Sequence, residues 1–149
     1  MLKLTILQTS LCFLIPPIIL CCKLKRHNGI IILGINFLIS LLVHRVDRKE
    51  EKEFLDYCDI VCISLWVLYN TFLVIEIFMY LNKEWNIIIC ILLLLGVCGA
   101  ILTYHFNIKR KQIGTWRSNN QNMIHILMHM SGGIGSVCIL LAIKQIDKK

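Results

Sequence analysis

Two histidines, His125 and His129, stand four residues apart in the otherwise apolar run MIHILMHM. On a helix that spacing puts both imidazoles on one face. Such a pair either ligates a metal or hydrogen-bonds across a helix interface, here to Asp56 or Asn36. A third histidine, His44, closes a polar stripe of Asn36, Ser40 and His44, again four apart, and Asp56 and Asp59 follow in the next apolar block. Three imidazoles leave one zinc position open for water, whose pKa falls to about 7 in favourable cases, ready to attack a carbonyl or phosphoryl group. A neighbouring carboxylate takes the proton or fixes an imidazole tautomer. The pair lacks the glutamate of soluble H-E-x-x-H enzymes, so the base must come from elsewhere. Asp56 is the candidate, in competition with Asp59, and Ser40 is the candidate donor to the water or the substrate oxyanion. Taken alone, Ser40 is more simply bonded back to a carbonyl of its own helix.

Whether these side chains meet depends on the segments that carry them. The chain has 149 residues and is 57% hydrophobic, with a mean hydropathy of +0.71. That is more apolar surface than a soluble domain of this size hides. Apolar blocks cover residues 4–22, 29–44, 56–81, 86–106 and 121–143, near the roughly 20 residues of a helical span. The pattern predicts an all-α integral membrane protein: a compact bundle of about five transmembrane helices, multi-pass, as one domain over residues 1–149. The first block reads as a retained span, kinked or broken at Pro16-Pro17, because no small-x-small cleavage site follows it. The second span ends on the side where the third begins, and two further crossings return the chain there for the fifth. Ser40, His44, Asp56, His125 and His129 are therefore expected at similar depth near one membrane face. Nine of the 16 Lys and Arg residues fall on the side of the N-terminus, which leans toward a cytoplasmic N-terminus.

The formal charge of +7 comes from basic clusters beside the blocks, a headgroup pattern that excludes nucleic acid as the expected partner. The eight cysteines lie in or beside apolar blocks and act as small packing residues. In SGGIGS (131–136) the small residues recur four apart, which suits close helix packing. The charged run RVDRKEEKEF reads as a solvated connection, a helical turn or two in water between spans. His105 is an interfacial residue and spare ligand, His27 lies on the other side, and Glu76 sits where it can snorkel.

The motifs S-L-L-V-H (40–44), L-D-Y-C (55–58) and H-I-L-M-H (125–129) together resemble the CREST superfamily of membrane hydrolases. That group comprises alkaline ceramidases, progestin/adipoQ receptors, GPI-remodelling lipases and myomaker-like proteins. V-H-R-V-D (43–47) followed by L-D-Y-C is similar to the GPI-lipase branch. The resemblance covers about residues 36–140. It implies Zn2+ held by His44, His125 and His129, with Ser40 and Asp56 completing the site, and hydrolysis of an amide or ester bond in a membrane lipid. Family members usually carry two more spans, so this chain reads as a shortened member. The alternative is a non-enzymatic receptor-like or membrane-remodelling protein with a structural zinc or no metal.

Overall fold

The computed structural model describes residues 2–45, 49–112 and 119–148, with side chains over 12–42, 54, 57–58, 61–109, 123–124 and 126–148. The described residues form α1 (Leu2–Lys23), α2 (His27–Arg45), α3 (Lys49–Leu81), α4 (Ile87–Gln112) and α5 (Asn119–Ile146), with no strand among them. Each helix contains one apolar block, because a backbone in apolar surroundings must pair its own N–H and C=O groups. Among the described residues three stretches are long and apolar enough to cross a membrane by length and composition: Val61–Leu81, Ile87–Lys109 and Ile126–Ile146. Cys12–Lys23 and His27–Leu42 are shorter apolar helices.

Of the kink or break expected at Pro16-Pro17 the break does not occur, for α1 runs on through both prolines. Pro17 removes the N–H that would bond Phe13 O, and that carbonyl lies against Gly133, where a Cβ would stand 2.5 Å from it. α1 ends at Lys23, and two residues on Lys25 takes a left-handed φ of 54°. Arg26 N–H then bonds Cys21 O at 2.9 Å and Lys25 N–H bonds Cys22 O at 3.2 Å, a Schellman ending with Lys where Gly is usual. The turn delivers Arg26 to α3. Its guanidinium donates to both Glu76 carboxylate oxygens, at 3.1 and 2.8 Å, and lies 3.6 Å from Asp147 Oδ1. Glu76, placed where it can snorkel, is thus also half of an ion pair. Its hydrogen bonds, against the opposing desolvation, hold Arg26 above its ordinary range, assisted by the charges of Glu76 and Asp147. α4 opens on Asn86, an N-cap whose Oδ1 accepts from Ile88 and Ile89 N–H at 3.0 and 3.3 Å.

α5 is the hub. Of its apolar window 61% is buried, against 22% in α4 and 17% in α3. It packs most extensively on α4, then on α1, and more lightly on α3. α2 joins α1 to α3, and among the described residues it makes no close backbone approach to α5. So α1, α2, α3 and α5 close a four-cornered ring, α4 lies outside it on α5, and α3 and α4 barely meet. Small residues set the α4–α5 spacing: a Cβ on Gly99 would stand 2.7 Å from Gly135 Cα and 2.8 Å from Ser131 O. Beside them Thr103 Oγ1 bonds Gly99 O at 2.8 Å and Ser131 Oγ at 3.0 Å. This is the packing role expected of SGGIGS. The apolar core, including Leu73, Ile77, Ile89, Leu140 and Ile143, gathers toward the end of α5 away from its histidines. The outer faces of α3 and α4 expose Leu68, Phe72, Phe78, Ile91, Leu94 and Ile101, more apolar surface than water tolerates on a monomer.

Candidate metal centre

The stripe on α2 turns inward: Asn36 is 6% exposed and Ser40 5%. One turn further, His44 is the penultimate residue of α2. The side chains of His44, Asp56, Asp59 and His125 lie outside the described residues, so their positions follow from helix register alone. α2 and α3 run antiparallel, pinned where Gly29 meets Tyr69: a Cβ on Gly29 would lie 2.5 Å from Tyr69 Oη. His44 stands fifteen residues from Gly29 and Asp56 thirteen from Tyr69, a difference of about 3 Å along straight helices. His44 and Asp56 are thus at nearly one level on adjacent helices.

α3 and α5 run parallel. A Cβ on Gly132 would lie 2.5 Å from Trp66 Cη2, and Ser136 Oγ donates to Asn70 Oδ1 at 3.2 Å, across an offset of 66 residues. The same offset levels His129 with Ile63 and His125 with Asp59, with Asp56 one turn nearer the start of α3. Asp59 therefore stays in competition with Asp56 for the place of the carboxylate. The register gathers the ends of α2, α3 and α5 that carry the candidates, with α2 diagonally across the ring from α5.

His129 is the one proposed ligand whose side chain is described. It is half-buried and lines a cleft of about 370 Å³. Among the described residues no group of three or more His, Cys, Asp or Glu gathers closely enough to hold a metal. Three imidazoles with a carboxylate, were the side chains of the expected residues to meet, would suit zinc by their chemistry. His105 is exposed and meets Phe106 edge-on at 5.9 Å between ring centroids, so it turns away from the ring. His27 opens α2 at the opposite end.

The cleft itself was not expected. It opens where α3 and α4 fail to meet, with α5 as its floor, and Asn36, Trp66, Asn70, Thr103 and His129 are among its walls. Trp66 Nε1 is buried and has no hydrogen-bond partner among the described residues. A signal was present in the sequence, since Trp66 and Asn70 are polar-bearing residues one turn apart within the third apolar block. Asn70 Nδ2 bonds Trp66 O at 2.9 Å, which ties that pair together within α3. No protein-family profile, no curated protein and no solved structure matches this chain.

Proposed function

We propose that the chain is a multi-pass integral membrane protein of five spans that hydrolyses an amide or ester bond in a membrane lipid, with zinc held by His44, His125 and His129. The observation that carries this reading is His129 in the wall of a cleft that opens sideways between two outward-facing apolar helices. A lipid reaching the histidines by that route need not leave the bilayer. Zinc held there would supply a water of lowered pKa, about 7, and would polarise a carbonyl oxygen. Asp56, or Asp59 one turn along, would take the proton of the attacking water and return it to the leaving group. Ser40, buried on the inner face of α2, donates a hydrogen bond to the oxygen on which charge develops.

One observation favours a second, non-enzymatic reading. α2 and α5 make no close backbone approach among the described residues, and a structural zinc between His44 and the α5 pair would tie those two corners of the ring. Metal content and lipid turnover divide the cases. The first reading expects near-stoichiometric zinc in purified protein, its loss in His125→Ala/His129→Ala, and lipid cleavage abolished by Asp56→Ala or Asp59→Ala with zinc retained. Zinc without cleavage of any ceramide or phospholipid leaves the structural reading. A wild type without zinc overturns both.

A further inference from the structure

We infer that the α3–α4 cleft binds one chain of an uncharged lipid taken sideways from the bilayer, and that Asn36 reads a hydroxyl or carbonyl borne near the middle of that chain. The inference rests on the membrane placement proposed above but not on the metal.

Four observations lead to it. The cleft's volume is about 370 Å³; an apolar cavity of about 150 Å³ holds a benzene, so the cleft holds about fifteen carbons, one chain rather than two. Its walls include no Lys, Arg, Asp or Glu, so away from the His129 end a carboxylate or phosphate drawn into it would find no countercharge. Its opening is continuous with lipid-type surface, since Val67, Leu68 and Ile101 stand exposed along α3 and α4. The fourth observation is Asn36. It is 6% exposed and lines the cleft, and among the described residues no hydrogen bond engages its amide, whereas Asn70 is held by Ser136. A buried amide in apolar surroundings is stable only when a partner completes it. Asn36 stands eight residues from His44, about 12 Å along the helix. A lipid whose head lies at the histidine level therefore brings its mid-chain to Asn36.

The test uses full-length protein in lipid nanodiscs and a photoreactive monoacylglycerol with a chain of about fifteen carbons, with or without a mid-chain hydroxyl. Crosslinks are expected on residues 63–74 and 96–107, with unlabelled monoacylglycerol competing at least tenfold better than the fatty-acid anion of equal length or a diacylglycerol. Ala100→Phe and Val67→Phe, filling the cleft from opposite walls, should each reduce labelling about tenfold. The hydroxylated chain should bind about tenfold tighter than the plain one, and Asn36→Leu should erase that preference, so that the two chains then bind alike. Equal competition by the anion, labelling spread over all helix faces, or undiminished labelling in both wall variants would overturn the site. A hydroxyl preference surviving in Asn36→Leu would overturn the role of Asn36. Zinc is measured on the same preparation, so that a protein binding the lipid without zinc refutes the metal reading alone.

Discussion

Gly99→Ala and Gly34→Ala are the same chemical change in two helices, and the structure gives them opposite signs. At Gly99 the new Cβ would stand 2.7 Å from Gly135 Cα, 2.8 Å from Ser131 O and 3.0 Å from Gly135 N. Carbon atoms pack at about 3.5–4.0 Å, so α4 must withdraw from α5 by about 1 Å. All three neighbours are backbone atoms, so no rotamer change relieves the contact. Overpacking of this kind costs about 1–3 kcal/mol, here at the most extensive helix contact in the molecule. At Gly34 nothing lies within 4 Å of the added carbon. There only the helix preference for Ala over Gly remains, a gain of about 0.5–1 kcal/mol. That gain is common to both sites and cancels in the comparison, so the difference between the variants reads the clash itself. Reversible unfolding in mixed detergent micelles measures it. Equal stability of the two variants would mean that α4 and α5 do not approach through Gly99 and Gly135.

Other expectations follow from single contacts. Arg26→Ala should lower stability by about 1 kcal/mol, the fork being partly exposed and so screened, and Arg26→Lys should recover only part of it because an ammonium cannot match two oxygens at once; the same unfolding assay reads both. Lys25→Gly relieves a left-handed backbone and should stabilise by about 1 kcal/mol. Ser136→Ala removes the donor to Asn70 and should cost about 1–3 kcal/mol, with the Ser136→Ala/Asn70→Leu double variant losing less than the two singles added, as a double-mutant cycle would record. Zinc at about a hundred times its Kd should raise stability by about 2.7 kcal/mol, reversibly with chelator, and His129→Ala should cancel the effect in a thermal scan.

The existence of the helices was legible because hydropathy records how long each segment stays apolar, but their ends were less so: α3 begins at Lys49 and α4 runs on to Gln112, both beyond their apolar blocks. Which helices touch was not, for lipid tails are as apolar as leucine and hydropathy carries no term for partner choice. The partial exception is the small-residue run around Gly132 and Gly135, whose spacing announced a close approach without saying that α1, α3 and α4 would share it. The inward turn of Asn36 and Ser40 was readable from their four-residue period on an apolar helix. The partner of Glu76 was not legible, because Arg26 lies fifty residues away in a turn, and the left-handed Lys25 that aims it has no sequence signal of the glycine kind. The cleft went unseen for a related reason: it is the space between α3 and α4, helices joined by a short link that sequence adjacency suggests should pack together.

The helix on which the others lean follows them in the chain, and this gives assembly a timetable. At about 5–20 residues per second, the 28 residues of α5 take about 1–6 s to emerge. Until then α4 has no extensive neighbour, and its Gly96–Gly99 face stands open to whatever surrounds it. The nascent chain is held meanwhile by the seams of α1 with α2 and of α2 with α3. Errors in α5 should therefore be felt as failures of biogenesis, with stalled precursors offered to quality control, before they register as lost activity.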